Sequence, residues 1–341
     1  MRKLASIQKI KSVKAHPNAD RLDILQILGW QCVSKKGEFK EGELCIYFEI
    51  DSLIPMKHEW AKFLQDKNKP DAPARLKTIR LRGELSQGLA VPLSVLGHVV
   101  DTQLEGDDVT EYLGVTKYEP KIPACLSGNV KGPRPSYVSK TDEDRVQAFP
   151  ELIQEFQDVL VYVSLKIDGT SGTFAHMDHN FDVCGRNWSF LPTTENTYWE
   201  VCKKYDIENK LHTIAEETGN NYALQGEVAG PGIQKNTFGL PEHDLLVFNV
   251  INLNGQKHLG FYEFKEFCER LQLKTVPIIM VTKFEWKTID ELLALADTTY
   301  PNGYPAEGVV IRPVREFRSE VLKGRASFKV INNKYLEKTG E

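Results

Sequence analysis

The sequence predicts an all-β N-terminal domain built as a small barrel, followed by a larger α+β domain. Three observations carry this. Residues 1–115 break into short β-like runs without a long helical period: KLASIQKIKSV, DRLDILQIL, WQCVSK, LCIYFEI, RLKTIRLRG and GLAVPL. The stretch KYEPKIPACLSGNVKGPRPSYVSK, residues 117–140, is rich in Pro, Gly and Ser and reads as a connector. Beyond it strand-like and helix-like segments mix, and 341 residues are enough to bury two cores.

The second domain opens with a short helix at ELIQEFQ. In VYVSLKIDGTSGTF, residues 161–174, Val161, Val163, Leu165 and Ile167 alternate onto one face, with Tyr162, Ser164, Lys166 and Asp168 on the other, so a strand runs into a Gly-containing turn. Helices are expected at TYWEVCKKYD, NKLHTIAEETG, FYEFKEFCERL and TIDELLALA, the last with Thr288 and Glu291 at capping-box spacing. ALQGEVA, DLLVFNVIN, EGVVIRP and SFKVI read as strands. There is no internal repeat.

With 41% hydrophobic and 26% charged residues, the composition is that of a folded soluble protein. No apolar run approaches the ~18 residues of a membrane span, and MRKLASIQKIK lacks a signal-peptide core, so an intracellular, soluble protein is expected. The six cysteines are scattered without a CxxC pair and are expected to be reduced thiols. His176 and His179, in AHMDHN, lie at a predicted hairpin tip and are either a solvated turn or a metal pair. A formal charge of −4 excludes a uniformly basic nucleic-acid coat. Residues 1–40 are nonetheless locally basic, carrying Lys9, Lys11, Lys14, Lys35 and Lys36 among others.

Neither GxxxxGK[ST] nor GxGxxG occurs, so a P-loop and a dinucleotide fingerprint are both excluded. Four charged residues interrupt apolar or glycine-bounded strands instead: Lys166 in LKIDG, Glu227 in LQGEVAG, Glu307 in AEGVVIRP and Lys329 in SFKVI. Singly these are weak signals, since most strand lysines are solvated and a KxDG tetrapeptide arises readily by chance. Their order is specific.

In that order the pieces resemble the motifs of the covalent nucleotidyltransferases, the polynucleotide ligases and RNA capping enzymes. KIDGTSG matches motif I, LQGEVAG motif III, DLLVFNV the adjoining aromatic motif, EGVVIR motif IV and SFKV motif V. CGRN at 184–187 is similar to the ribose-contacting arginine segment of RNA ligases, and KTDEDRVQ at 140–147 to the segment upstream of motif I. HPNADRLDIL, GWQCVSKKGEFKEGELCIYFEIDSLIP and LKTIRLRGELSQGLAVPL resemble the OB-fold domain of one branch of ATP-dependent RNA ligases, RNA ligase family five. The likeness covers nearly the whole chain. It implies an α+β protein: an OB-fold nucleic-acid-binding barrel over 1–118, a linker over 119–139, and an antiparallel-sheet, ATP-grasp-like nucleotidyltransferase domain over 140–341.

The resemblance makes Lys166 the catalytic nucleophile that takes AMP from ATP. An attacking lysine must be neutral, whereas its ordinary pKa is about 10.4. The site is therefore expected to disfavour the ammonium, with Lys329 and a divalent metal supplying positive charge. Nucleotide binding falls to Lys166, Asp168, Gly169, Arg186, Glu227, Phe248, Glu307 and Lys329. Asp168 and Glu307 would hold Mg2+ or Mn2+ through waters. Glu227 would accept hydrogen bonds from ribose, and Phe248 would stack on adenine or else be a core residue. Arg186 would bind ribose or the 5′-phosphate end, or form a structural ion pair. Gly169 would let the backbone approach the nucleotide, or be an ordinary hairpin glycine.

Two positions depart from the family pattern. After Phe248 relatives often carry an acid, and Asn249 here puts a metal role at that position in doubt. Motif V usually has two lysines, but Ser327 precedes Phe328 and Lys329, leaving Lys323 or Lys334 as candidate replacements. Lys140 and Arg145 are further candidates for phosphate contacts.

The expected reaction is the sealing of 3′-OH/5′-phosphate nicks in duplex RNA or RNA-containing duplex by a monomer, with ATP as AMP donor. The alternatives are an ATP-dependent DNA ligase, a capping guanylyltransferase, or a non-catalytic OB-type RNA-binding protein. The first two usually carry the OB domain after motif V, where only about a dozen residues remain here. The third is raised by HPNADRL, which also resembles tRNA-binding OB modules, and is disfavoured by the intact Lys166, Asp168, Glu227 and Glu307.

Overall fold

The computed structural model describes residues 3–67, 69–97, 104–118, 129–192 and 196–339. They fall into two compact units, one drawn from residues 1–121, 146–150 and 336–341, the other from 122–145 and 151–335.

The first unit is organised by one long strand, Ala5–Ala15. Its Ala5–Lys9 half pairs with Leu44–Phe48 and its Ile10–Ala15 half with Leu22–Ile27, both antiparallel. The register slips between Ile10 and Ser12, and such a bulge bends a strand so that it can serve two parts of a curved sheet. Trp30–Lys35 and Leu89–Pro92 complete the five-stranded OB-type sheet. The period-2 pattern fills two apolar clusters, Ile7, Ile46, Phe48 and Val91 in one and Ile10, Leu25, Ile27 and Trp30 in the other. Lys9, Lys11 and Lys14 stay exposed on the long strand.

The second unit contains two sheets. A seven-stranded antiparallel sheet runs Val130–Pro133, Trp188–Phe190, Asn180–Cys184, Thr170–Met177, Tyr222–Ala229, Asp244–Asn252, Lys257–His258. The other sheet runs Asp144–Arg145, Phe328–Ile331, Gly308–Pro313, Leu160–Lys166, Ile278–Lys283, and only the Asp144–Arg145 pairing is parallel. Val130–Pro133 lies within the stretch that composition marks as a connector, yet it pairs with Trp188–Phe190; residues 119–128, with Cys125, lie outside the described residues.

The helices form where the apolar period predicts. Thr197–Lys204, Ile207–Thr218 and Phe261–Arg270 contribute Trp199, Val201, Leu211 and Phe264 to a core over the seven-stranded sheet, against Phe174, Leu224 and Val247. Ile289–Ala296 starts at Thr288, whose hydroxyl accepts from Glu291 N–H, but Glu291 returns its bond to Lys287 N–H rather than to the cap residue itself. ELIQEFQ yields one helical turn, Leu152–Glu155. Its Phe156 packs on Phe284 and Phe328 behind the five-stranded sheet.

A buried ion pair ties the two sheets together. Arg312, 2% exposed, donates to Glu143 Oε1 at 2.7 Å and to Ser327 Oγ at 2.9 Å, and reaches the Phe248 carbonyl on the other sheet at 3.1 Å. Burial pushes the Glu143 carboxyl up, but Arg312 and Arg325 outweigh it and hold it below the usual carboxylate range. A depressed folded-state pKa stabilises the fold above the ordinary glutamate range, and that contribution is lost as pH falls through the folded pKa. Glu143→Gln, which leaves Arg312 buried without its counter-charge, is expected to cost about 3 kcal/mol or more in chemical denaturation at neutral pH, with the deficit shrinking in acid.

Candidate active site

Lys166 is the last residue of its strand and pairs with Gly308, the first of the neighbouring one. Gly308 has φ 145°, and a Cβ there would lie 2.1 Å from the Val330 carbonyl, so only glycine lets its strand lie so close to Phe328–Ile331 on the side away from Lys166. Both faces of the Lys166 strand are covered, and Lys166 does not point into open solvent. Its Nζ lies 2.7 Å from Glu307 Oε1, with the side chains 23% and 14% exposed, a pair shielded from bulk water.

Asp168 and Glu227 complete an acidic pocket around this amine. Asp168, 8% exposed, accepts from the Thr237 hydroxyl at 2.8 Å. Burial and the charge of Glu307 push its carboxyl up, against hydrogen bonds from Thr237 and Tyr335. Glu227, from the seven-stranded sheet, is pushed up to about 8 by burial and by Glu307 and Asp168, with Lys166 and Lys329 pulling the other way. Lys329 is thus within electrostatic reach of the cluster.

The expectation that the site disfavours a charged lysine is corrected here. Burial does pull the Lys166 ammonium down, but Glu307 and Glu227 outweigh it and hold the group above the ordinary lysine range. The protein groups alone keep the proton on.

A divalent cation fits this pocket by charge and by donor type. Burial first and neighbouring carboxylates second push Asp168 and Glu227 up, so a bound cation would be favoured by charge, and Asp168 and Glu307 offer the hard oxygens that Mg2+ and Mn2+ prefer. Among the described residues no three His, Cys, Asp or Glu form a ready-made metal cage, so such an ion would keep part of its water shell.

Phe248 sits at a bulge. Gln225 pairs with Asn249 and Gly226 with Val247, leaving Phe248 as the extra residue, and it is the one partly exposed position in the middle of an otherwise buried strand. Its ring packs in the cluster of Ile167, Ala229, Leu246 and Tyr300, with the Arg312 guanidinium 5.7 Å from its centroid. Asn249 is engaged elsewhere: it donates to Gln225 Oε1 at 3.0 Å and accepts from Arg325 at 2.7 Å. Gly169 is small for the sake of the protein itself, because a Cβ would lie 2.6 Å from the Val228 carbonyl and 2.8 Å from Glu227 Cγ.

The remaining candidates lie further out. Arg186 forms an ion pair with Asp142, Nη2 to Oδ1 at 3.1 Å. Lys140 is exposed, and Arg145 is buried beside Lys329 in the parallel pairing. Neither proposed substitute for the second motif V lysine joins the cluster: Lys323 pairs with Glu320 and Lys334 with Asp297, both on the surface. His176 is within hydrogen-bonding distance of His212 and Asn221 rather than His179. Sequence reasoning missed Tyr300 and Thr237, whose local sequences, TYPNGYP and KNTFG, look like ordinary turns.

Comparison with known proteins bears on both units. A sequence model described as an OB-fold domain matches residues 4–93, and one described as RNA ligase matches residues 159–331. No curated protein sequence matches. Among solved structures, the Naegleria gruberi RNA ligase with PPi is 35% identical, covers 99% of each chain, and superposes with a TM-score of 0.87. A mutant of that ligase with ATP and Mn is 34% identical over 99% of this chain and 98% of that one, TM-score 0.86. Another mutant, with AMP and Mn, is 35% identical over 99% of each chain, TM-score 0.88. Identity at that level along the full length, with the OB-fold and ligase segments in the same order, means that this chain belongs to the RNA ligase family.

Proposed function

We propose that the protein is an ATP-dependent RNA ligase that seals 3′-OH/5′-phosphate nicks through a lysyl-AMP on Lys166 and an adenylylated RNA 5′ end. The observation that carries this reading is the shielded Lys166 amine held 2.7 Å from Glu307, with Asp168 and Glu227 around it. In this reading residues 1–118 grip nucleic acid and the second unit, whose sheet takes up Val130–Pro133 from the expected linker, performs the transfer. The ligase of known structure with ATP, AMP and Mn supports ATP and a divalent metal as its cofactors.

The chain's own groups suggest how the first step proceeds. Glu307 is the acceptor within hydrogen-bonding distance of Nζ and is placed to take the ammonium proton, which turns the held cation into a nucleophile. The free amine attacks the α-phosphorus, the N–P bond forms, and the bond to the leaving pyrophosphate breaks. A divalent cation bound by Asp168 and Glu307 through waters would offset the carboxylates that retain the lysine proton and neutralise triphosphate charge. Lys329 would add positive charge at the phosphates, Glu227 would accept from ribose hydroxyls, and Phe248, re-aimed by its bulge, would stack on adenine.

In the second step an RNA 5′-phosphate oxygen attacks the adenylyl phosphorus and the N–P bond breaks. In the third, the RNA 3′-hydroxyl attacks the activated 5′-phosphate and AMP departs. Arg186 would release Asp142 to bind the 5′ end, with Lys140 and Arg145 as further phosphate contacts. The exposed Lys9, Lys11 and Lys14 of the N-terminal unit would contact the backbone of a nicked duplex containing RNA. We place the protein in a reducing, intracellular compartment as a soluble monomer. Five free, buried cysteines among the described residues support the compartment, and no described helix is long and apolar enough to cross a membrane.

Incubation with ATP labelled at the α-phosphate and Mn2+ is expected to label the wild-type protein, whereas Lys166→Met takes no label and labelled GTP gives none. An unlabelled wild-type protein removes the ligase reading. GTP labelling would turn it towards capping. Glu307→Gln is expected to slow single-turnover adenylation on the order of 10²-fold or more, the loss of a proton acceptor. Sealing of a nicked duplex should fall about tenfold or more when the 3′-terminal ribose becomes deoxyribose, the worth of one good hydrogen bond. Equal sealing of an all-DNA nick would sink that substrate assignment.

A further inference from the structure

Beyond the residues named so far, one phenol ties the acidic pocket together. Tyr300 is 1% exposed and lies in the loop that leads into Glu307. Its hydroxyl donates to the Lys166 carbonyl at 2.6 Å and accepts from the Asp168 N–H at 3.0 Å and the Glu307 N–H at 3.1 Å. A hydroxyl has one proton and two lone pairs, so these three bonds use its full capacity.

The three partners stand where the ladder stops. Lys166 and Gly308 form the terminal pair of their antiparallel ladder, and at that end the hydroxyl bridges the two segments. The loop is itself closed by backbone bonds, Tyr300 N–H to the Tyr304 carbonyl at 2.8 Å and Ala306 N–H to the Thr298 carbonyl at 2.9 Å. Asn302 Nδ2 donates to the Thr237 carbonyl at 2.9 Å, and Thr237 is the residue whose hydroxyl holds the Asp168 carboxylate. The ring of Tyr300 is fixed edge-to-face on Phe238, centroids 5.2 Å apart.

We propose that Tyr300 is a positioning residue for lysine adenylation: its hydroxyl sets the spacing of Lys166 and Glu307 and the aim of Asp168 by replacing the missing ladder rung. The proposal rests on the reading of Lys166 as the nucleophile. Tyr300 touches no reacting atom and acts only through the backbone of the three residues that would. A misplacement of about 1 Å at a reacting centre can cost 10²-fold in rate, which is the scale on which such a bridge matters.

The test compares single-turnover adenylation by wild type, Tyr300→Phe and Leu211→Val, each with its thermal midpoint. Tyr300→Phe removes only the hydroxyl and is expected to lower kcat by about 10 to 100-fold with KM for ATP nearly unchanged. Leu211→Val loosens the separate core over the seven-stranded sheet and leaves the bonds of the hydroxyl intact, and is expected to lower the midpoint while leaving kcat near wild type. A Tyr300→Phe enzyme with wild-type kcat, one altered only in KM, or an equal kcat loss in Leu211→Val overturns the proposal. If Tyr300→Phe is not recovered folded, the exposed Asn302→Ala loosens the same loop. It is expected to lower kcat without raising KM, and an unchanged kcat there overturns the proposal as well. A wild-type protein that takes no label defeats the nucleophile reading and this inference with it. A labelled wild type beside an equally labelled Tyr300→Phe defeats the inference alone.

Discussion

Three carboxylates and one ammonium share a largely buried pocket, and that charge balance governs the arrangement around it. Asp168, Glu227 and Glu307 would repel one another if all were ionised at low local dielectric, and the raised Asp168 and Glu227 carboxyls record that repulsion together with their burial. Lys166 relieves part of it as a cation. In the proposed reaction Lys166 must give up that proton, and the surrounding carboxylates mean that added positive charge favours the loss. Because the balance belongs to the cluster, replacing any one member shifts the protonation of the others.

Such a pocket requires its walls to be held firmly against repulsion. Lys166 and Glu307 come from adjacent strand ends, Glu227 from the other sheet, and Asp168 from the turn after the Lys166 strand. Glycine at 169 removes the atom that would hold the turn off Glu227, glycine at 308 lets the motif V strand pack beside Glu307, and Tyr300 closes the gap left where the ladder ends. Behind them, Arg312 spans the sheets through Ser327, Glu143 and the Phe248 carbonyl. One buried guanidinium thereby links motif IV, motif V and the aromatic motif that holds the adenine-stacking candidate. Its buried charge is balanced by Glu143, which lies in the KTDEDR segment upstream of motif I.

The strand and helix pattern was legible because short-range periodicity records burial on a local face. Most runs of residues 1–115 became strands of the curved five-stranded sheet, RLKTIRLRG paired in two smaller sheets, and NKLHTIAEETG became a helix packed on Phe174 and Leu224. Compositional reading failed at Val130–Pro133, where Pro and Gly sit at a sheet edge and still permit pairing. The motif residues were found because each breaks an apolar strand with a charge. Tyr300 and Thr237 went unseen because a tyrosine or threonine in a turn looks the same whether its hydroxyl faces water or a buried backbone.

The sequence by itself determined the order of the motifs, the class of each domain and the identity of the nucleophile candidate, since these reside in residue type and spacing along the chain. The tertiary structure alone set the charge environment that holds Lys166 above the ordinary lysine range, because the balance between burial and opposing charge comes from groups 141 and 61 positions away, Glu307 and Glu227, whose distance no linear pattern encodes. It likewise decided that Asn249 serves Arg325 and Gln225, and that Lys323 and Lys334 stay on the surface. Electrostatic energy depends on separation in space and on the surrounding dielectric, and the chain acquires both only when it folds.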